Sequence, residues 1–229
     1  MSSSDNIIEA AGVSKTVEVG ARPLHILTEV GVSIQRGESI AIVGVSGSGK
    51  STLLGLLAGL DLPSGGVIRV AGNRITDMNE DQRAEVRARH VGFVFQSFQL
   101  MPNLTALENV MLPLEILNRA DAGDAARAAL ARVGLEARAI HYPRQLSGGE
   151  QQRAALARAF VSVPDILFAD EPTGNLDNQT GQRVADLLFA MNDENHTTLV
   201  MVTHNLGLAD RCRRVFTMDN GNLSEQLRA

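Results

Sequence analysis

Several residue types are scarce in this sequence, and each shortage excludes a class of protein. Only one cysteine is present, Cys212, so no disulfide can form within the chain, which fits a reducing, cytoplasmic setting. The longest apolar runs, such as residues 53–60, are far shorter than the roughly 18 residues that a membrane-spanning helix needs. The N-terminal residues show no basic segment followed by an apolar stretch, so we expect no signal peptide. If the protein acts at a membrane, a partner must hold it there.

The charge balance narrows the choice of partners. The net charge of −5 and the isoelectric point near 5.5 disfavour a nucleic-acid-binding surface, so we expect no nucleic acid partner. Only two of the 21 lysine and arginine residues are lysines, Lys15 and Lys50, which draws attention to the place of Lys50. The length of 229 residues and the hydrophobic fraction of 44% are those of one large globular domain, or of one domain with an insertion.

Hydrophobic periodicity predicts an α/β fold. Short runs rich in β-branched residues and bounded by Gly, Asn or Pro predict strands over residues 7–13, 32–34, 39–43, 67–70, 91–95, 166–169, 198–202 and 215–218. Several of these runs are apolar almost without interruption, which is typical of strands buried on both faces of a sheet. The early runs are separated by short turns, which indicates an antiparallel portion near the N-terminus.

The middle of the chain is predicted to be helical. No strand is expected between residues 96 and 164, and helical spacing of apolar residues predicts helices over residues 106–117, 124–133 and 178–195. We therefore expect a single domain over residues 1–229. In this domain a helical subdomain is inserted into an α/β core, with residues 96–163 forming the subdomain and residues 1–95 and 164–229 forming the core.

Residues 44–51, GVSGSGKS, fit the phosphate-loop pattern G-x-x-x-x-G-K-[S/T]. They follow the predicted strand 39–43 and precede a helical run, 52–60, as a phosphate loop requires. Glycines let backbone N–H groups curl around an anion, and the helix N-terminus adds its dipole. Lys50 would contact the β and γ phosphates and Ser51 would bind Mg²⁺, whereas the alternative is a glycine-rich turn with an incidental lysine. The expected nucleotide-binding residues are Gly44, Val45, Ser46, Gly47, Ser48, Gly49, Lys50, Ser51 and Thr52.

A second chemical motif ends the predicted strand 166–169, where Asp170 and Glu171 are followed by Pro172. An aspartate at such a strand end can hold the ligand shell of Mg²⁺. The next side chain points to the other side of the strand, from where Glu171 could polarise an attacking water. The alternative is a solvated strand end with two surface acids, and the phosphate loop in the same chain favours the functional interpretation.

The stretch LSGGEQQR, residues 146–153, starts a helix in an unusual way. Ser147 and Glu150 fit a capping box, but the glycines between them, Gly148 and Gly149, cost roughly 1 kcal/mol each relative to alanine. Bare backbone at a helix N-terminus lets an anion approach the N–H groups. The chain already has one phosphate loop. The simplest interpretation is that this helix end faces a nucleotide held by a second copy of the protein.

These motifs together resemble those of the ATP-binding cassette (ABC) ATPases. Residues 44–51 resemble Walker A, LSGGEQQR the signature motif, and Asp170 with Glu171 the Walker B pair. Gln96 resembles the Q-loop glutamine, Asp177 lies in a D-loop-like GNLD, and His204 resembles the switch histidine. The resemblance covers essentially the whole chain. Finer features, VGFVFQSF around Gln96 and FADEPTGNLD, are similar to the branch of lipoprotein-releasing and macrolide-exporting ATPases, within which the chain most resembles partners of a large permease.

The resemblance implies a RecA-like P-loop NTPase core with an N-terminal antiparallel β subdomain and an inserted α-helical subdomain. It implies that the cofactors are ATP and Mg²⁺, with metal contacts from Ser51, Gln96 and Asp170. The catalytic roles it implies fall to a base, a transition-state or positioning group, a γ-phosphate sensor and a phosphate-binding cation, namely Glu171, His204, Gln96 and Lys50.

The resemblance also implies two partners. A second copy would form a head-to-tail dimer around two ATP, with Ser147, Gly148 and Gly149 at the γ-phosphate of the other copy and Asp177 communicating across the interface. A permease would hold the protein at the cytoplasmic face of the inner membrane. Its docking surface would lie near residues 96–109, where the apolar side chains either line a groove for an amphipathic coupling helix or pack internally, namely Phe98, Leu100, Met101 and Leu104.

One position departs from the family pattern. Many ABC ATPases stack an aromatic ring on adenine, and Val17 stands where that ring is expected. Since stacking on a base is worth roughly 1–3 kcal/mol, we expect weaker ATP affinity or a weaker preference for adenine over guanine. His25 or Arg22 could compensate.

The sequence leaves the biological role open between several classes. The leading one is an ATPase that drives a permease, for export or extraction of a hydrophobic or lipid-linked substrate. A mechanical transmitter that regulates an extracytoplasmic process without transport would need the same chemistry. A soluble ABC ATPase of DNA repair or translation usually carries a second cassette or a long coiled-coil insertion, and neither is seen here. A binding module without turnover is disfavoured by Glu171.

Overall fold

The computed structural model describes residues 5–20 and 22–226, which fold into two compact units. The first unit combines Met1–His90 with Thr198–Ala229, and the second is Val91–Thr197. Within the described residues, no helix is both long enough and apolar enough to cross a membrane.

The first unit contains an antiparallel sheet in the order β2-β1-β4-β5, formed by β1 (Asn6–Val19), β2 (Arg22–Gln35), β4 (Gly65–Val70) and β5 (Asn73–Arg74). Ile8 lies opposite Ile34 on one neighbour and Val70 on the other, and all three side chains are buried. The antiparallel portion expected near the N-terminus is therefore present. β1 and β2 run longer than predicted because their backbone ladder continues to Val19 and Arg22, past the apolar part of the hairpin.

The same unit contains parallel strands in the order β9-β3-β8, with β10 added antiparallel to β9. Their bounds are β3 (Ser39–Val43), β8 (Thr198–Val202), β9 (Arg214–Asp219) and β10 (Asn222–Glu225). Every residue of β8 is buried, as its almost uninterrupted apolar run predicted. The helices are α1 (Lys50–Leu57), α2 (Glu80–His90) and α7 (Leu206–Ala209), with a 3-10 turn at Ile75–Asp77.

The second unit packs helices around two parallel strands, β6 (Val91–Val94) and β7 (Ile166–Asp170). Its helices are α3 (Ala106–Ile116), α4 (Ala122–Arg132), α5 (Gly148–Phe160) and α6 (Asn178–Asn195), with 3-10 turns at Glu136–Arg138 and Pro143–Gln145. α5 is central, because it packs on α3, α4, α6 and β6. The helices predicted for the middle of the chain are confirmed, and the limits of a helical subdomain at 96–163 stay a prediction.

Candidate functional site

The phosphate loop joins the end of β3 to the start of α1, and its glycines are required by the backbone. Gly44, Gly47 and Gly49 have φ of 152°, 79° and 104°, a region that side chains with a Cβ rarely adopt. A Cβ on Gly44 would collide with the carbonyl oxygen of Met218, and one on Gly49 would lie 2.9 Å from that of Ile26. The loop is thus pressed against β9 on one side and β2 on the other, which fixes its path.

Lys50 begins α1 and folds back over the loop. Its side chain is buried, with 8% of the residue exposed, and Nζ donates to the carbonyls of Gly44 and Val45 at 2.8 Å each. The residue that caps α1 is Gly49, which has no side chain to bond the first amides of the helix. The buried hydroxyl of Ser48 has no hydrogen-bond partner among the described residues. Uncapped amides, a lysine and an unpaired hydroxyl fit a phosphate-bearing ligand.

His204 lies at the same edge of the first unit as the phosphate loop. β3 and β8 are parallel neighbours with Ile42 opposite Val202, so Gly44 and His204 both follow the carboxyl ends of paired strands. His204 is exposed, and Asn205 next to it caps α7. In open α/β sheets, ligands bind at this edge, where the strands end. The first unit therefore brings the imidazole to the edge that carries Lys50.

The second unit brings Gln96 and the carboxylates of β7 to one edge. Val94 of β6 lies opposite Ala169 of β7, so Gln96 follows the end of one strand and Glu171 follows Asp170 at the end of the other. Both carboxylate residues are half-buried and Gln96 is exposed. The two strands are parallel neighbours.

Gln96 is held by a residue that sequence reasoning did not single out, Asn175. The Gln96 side chain donates to Asn175 Oδ1 at 3.2 Å, and the Asn175 side chain returns a bond to the Gln96 carbonyl at 3.0 Å. A Cβ on Gly174 would lie 3.0 Å from Gln96 Nε2 and 3.4 Å from the Cβ of Glu171. Gly174 thus lets the glutamine and the glutamate approach each other. The signal for Asn175 was its place in GNLD, beside a glycine.

Glu171 has an unusual backbone conformation. Its φ is 47°, in the left-handed region that residues other than glycine, Asn and Asp seldom enter. The N–H of Gly174 donates to its carbonyl at 3.0 Å and closes a turn. Strained backbone of this kind clusters at functional sites, because the surrounding structure must hold it.

α5 begins with the capping box that the sequence predicted. The Glu150 amide donates to Ser147 Oγ at 3.3 Å, and the Ser147 amide donates to Glu150 Oε2 at 2.8 Å. The Ser147 amide, with the Arg138 guanidinium at 2.9 Å, lowers the pKa of Glu150 to about 2. The carboxylate is therefore ionised at neutral pH, with its charge balanced inside the same unit.

The two glycines of LSGGEQQR have different surroundings. A Cβ on Gly149 would lie 2.5 Å from Cγ2 of Thr180 on α6, which is far too close. A Cβ on Gly148 would meet only ordinary contacts, at 3.5 Å from Leu176 and 3.7 Å from Phe98. Packing of α5 on α6 thus explains why residue 149 is glycine, which the sequence alone did not show. Packing does not explain Gly148, for which the anion interpretation stays a prediction.

Gly149→Ala should therefore lower the melting temperature of the protein by several degrees, because Thr180 is branched at Cβ and cannot swing its methyl away freely. Thr180→Ser removes that methyl, so the double variant should recover most of the loss. Gly148→Ala is the matched control and should leave the melting temperature within about two degrees. Thermal unfolding followed by circular dichroism would give the melting temperatures of the native protein, the two single glycine variants and the double variant. Equal losses of melting temperature for the two glycine variants would contradict the packing argument.

Asp177 caps α6, accepting from the Thr180 amide at 3.0 Å, and this bond lowers the pKa of its exposed carboxyl. Asp177 follows Leu176, the residue nearest to Gly148, so the signature and D-loop motifs meet in this unit. Among the described residues, no cluster of three or more His, Cys, Asp or Glu could hold a metal ion. In the first unit, Val17 lies opposite Leu24 in the β1–β2 hairpin, and the neighbouring Thr16 hydroxyl is 3.0 Å from His25 Nδ1.

Comparison with known proteins agrees with these motifs. Residues 27–174 match the ABC transporter family. The ABC transporter ATP-binding protein YbbA of Escherichia coli (strain K12) is 56% identical over 224 residues, covering 97% of this chain and 98% of YbbA. The lipoprotein-releasing system ATP-binding protein LolD of Legionella pneumophila (strain Lens) is 45% identical over 221 residues, covering 96% of this chain and 97% of LolD.

A solved structure gives the same result for the fold. The ATP-binding cassette MJ0796, as a dimer in a post-hydrolysis state bound to ADP and Pi, superposes with a TM-score of 0.90 at 39% identity. The match covers 97% of this chain and 99% of the cassette, so the cassette fold expected from the motifs is confirmed. With its motifs, its fold and its nearly full-length relatives in agreement, the chain belongs to the ABC transporter family as an ATP-binding protein, an ATPase.

Proposed function

We propose that this chain is the ATP-hydrolysing subunit of a membrane ABC complex that exports or extracts a hydrophobic or lipid-linked substrate. Two copies would dimerise head-to-tail over two ATP and drive a partner permease from the cytoplasmic face of the inner membrane. One observation supports this proposal above all. The chain has a phosphate loop and also a second helix N-terminus, that of α5, where packing does not require glycine at position 148. The relative LolD, named for lipoprotein release, supports the substrate class.

The phosphate loop binds the nucleotide in this proposal. The Lys50 ammonium exchanges the carbonyls of Gly44 and Val45 for β- and γ-phosphate oxygens, and the first amides of α1 bind the phosphates. Mg²⁺ usually takes few protein ligands and relies on phosphate oxygens, and in this proposal its protein ligands would be Ser51, Gln96 and Asp170. When bound, the metal would neutralise charge on the phosphates.

Glu171 acts as the base that accepts a proton from the attacking water, and His204 stabilises the transition state or orients that base. Gln96 senses the γ-phosphate, and its pairing with Asn175 lets a change at Gln96 reach the D-loop motif of the same chain. In the dimer, Ser147, Gly148 and Gly149 present the N-terminus of α5 to the γ-phosphate held by the other copy. The dimeric MJ0796 cassette with ADP and Pi supports this arrangement.

The permease would dock near residues 96–109. Met101 is 49% exposed, while Phe98, Leu100 and Leu104 are half-buried. The segment 139–142 borders the same surface, because Ala106 and Leu107 of α3 donate to its carbonyls, and it carries exposed Ile140 and Tyr142. Exposed apolar side chains of this kind suit the apolar face of an amphipathic helix.

A pull-down tests the membrane assignment. Tagged Glu171→Gln would be solubilised from native membranes in mild detergent with ATP, and co-purifying proteins would be identified. A permease with few transmembrane helices and a large external domain supports the proposal and points to the substrate. A soluble ATPase bound to ribosomes or DNA-repair proteins would overturn it. Lys50→Met combined with Glu171→Gln is the control, since it should not bind ATP.

Val17→Tyr should tighten ATP binding by about tenfold and leave GTP binding less changed, because a ring at this position can stack on adenine. The native protein should correspondingly discriminate poorly between ATP and GTP. Dissociation constants from isothermal titration with both nucleotides measure this. Unchanged ATP affinity in the tyrosine variant would count against Val17 as the base-stacking position.

A further inference from the structure

Gln152 is a buried polar residue that the nucleotide chemistry described above does not use. It lies on α5 and is 0% exposed, and Ala154 and Ala155 further along the same helix are also fully buried. Its Nε2 donates to the carbonyl of Pro172 at 2.6 Å. Its Oε1 is buried and has no hydrogen-bond partner among the described residues. A buried amide that satisfies only one of its two ends is costly, so an apolar side chain would serve packing better.

The partner of Gln152 indicates what the amide does. Pro172 immediately follows Glu171, whose φ is 47°. A residue before proline is normally confined to extended conformations, so this geometry is strained twice. The turn is closed by the Gly174 amide on the Glu171 carbonyl, and the bond from Gln152 fixes the next carbonyl along. The strained segment is thereby tied to α5, five residues into the helix that starts at Gly148.

We propose that Gln152 is a positioning residue for Glu171, through which the signature helix sets the orientation of the base. The inference rests on the proposed role of Glu171 in hydrolysis. Because the bond from Gln152 reaches the backbone beside the base and not the nucleotide, its loss should lower kcat and leave KM for ATP nearly unchanged. A movement of α5 when its N-terminus meets the second copy's nucleotide would then be transmitted to Glu171 by this one bond.

The test compares three variants of the full-length chain by steady-state ATP hydrolysis. Gln152→Met keeps the length and removes the donor, and we expect kcat to fall at least tenfold with KM within twofold of the native value. Asn195→Leu is the matched control: Asn195, on α6 in the same unit, also donates to a backbone carbonyl, that of Met191 at 2.7 Å, but not to the Walker B turn. Its kcat should stay within twofold.

Gln152→Glu adds a readout that a purely structural role would not move. Burial raises the pKa of a carboxyl group at this position, so its neutral form can donate to the Pro172 carbonyl at low pH and loses that proton at high pH. The ratio of its kcat to that of the native protein should therefore rise as the pH falls. The same ratio for Gln152→Met should not change with pH. Melting temperatures measured at each pH would show whether a loss of activity comes from unfolding or from a misplaced base.

Three results would overturn the inference. One is a kcat of Gln152→Met within twofold of native. Another is an equal loss of kcat in the control, Asn195→Leu. The third is a loss of ATP-induced dimers when Gln152→Met is combined with Glu171→Gln. The proposed function fails separately, if Glu171→Gln alone hydrolyses ATP at the native rate.

Discussion

Glu171→Gln should lower kcat for ATP hydrolysis by about 10³-fold while ATP still binds. A positioned general base contributes typically 10²–10⁴-fold, and glutamine keeps the shape of the side chain but cannot accept the proton from water. The left-handed backbone at Glu171 and its turn to Gly174 should persist, because they depend on main-chain bonds. With hydrolysis blocked, two copies should remain together around ATP.

Two measurements check this expectation. A phosphate-release assay gives kcat, and multi-angle light scattering with ATP and Mg²⁺ gives the mass. Glu115→Gln, an exposed glutamate of α3 in the same unit, is the matched control and should hydrolyse ATP at the native rate. A Glu171→Gln protein that stays monomeric in ATP would contradict the composite site, and one with native turnover would remove Glu171 from the role of base.

Lys50→Met should raise the dissociation constant for ATP by about 100-fold or more. Truncating one partner of a buried charge pair costs about 2–5 kcal/mol, and every 1.4 kcal/mol is a factor of ten in affinity. The lysine is 8% exposed and holds two loop carbonyls at 2.8 Å, so methionine removes the phosphate-binding charge and also leaves those carbonyls without their donor. The loop should lose part of its order along with its affinity.

Lys15→Met provides the matched control, since Lys15 is the other lysine of the chain. It also donates to a backbone carbonyl, that of Leu62 at 2.7 Å, and pairs with Asp61. Titration with a fluorescent ATP analogue should give a near-native dissociation constant for this variant and no measurable saturation for Lys50→Met. Comparable losses in both variants would mean that burial of a lysine in the first unit, and not phosphate binding, accounts for the effect.

The sequence alone determined the features that depend on neighbours a few residues apart. The phosphate loop follows from glycines at fixed offsets between a β-branched run and a helical run, and the capping box of α5 follows from Ser147 and Glu150. The strands buried on both faces were recognisable because such burial leaves few polar positions in the run, as in β8. These are local rules, so a single sequence is sufficient to apply them.

Two elements escaped prediction because polar side-chain and backbone contacts, and not a periodic apolar pattern, hold them in place. α2 has only Arg83 and Val86 buried, so it lacks an apolar stripe. It is held instead by ion pairs of Glu80 with Arg83 and Arg87 and by a bond from Arg87 to the Gly59 carbonyl. β10 is a short polar strand that exists because its backbone pairs with β9. Neither element shows the apolar periodicity from which helices and strands are predicted.

The candidate site divides in the same way. Its residue types and spacings are local, so Lys50, Glu171 and the start of the signature helix were predicted from sequence. The tertiary structure alone decided that Gly149 packs on Thr180, that Gln96 pairs with Asn175, and that Gln152 holds Pro172. Each of these contacts joins segments brought together by folding, where close packing and the need to satisfy buried polar groups decide which side chains meet. Local sequence propensity does not predict such tertiary contacts.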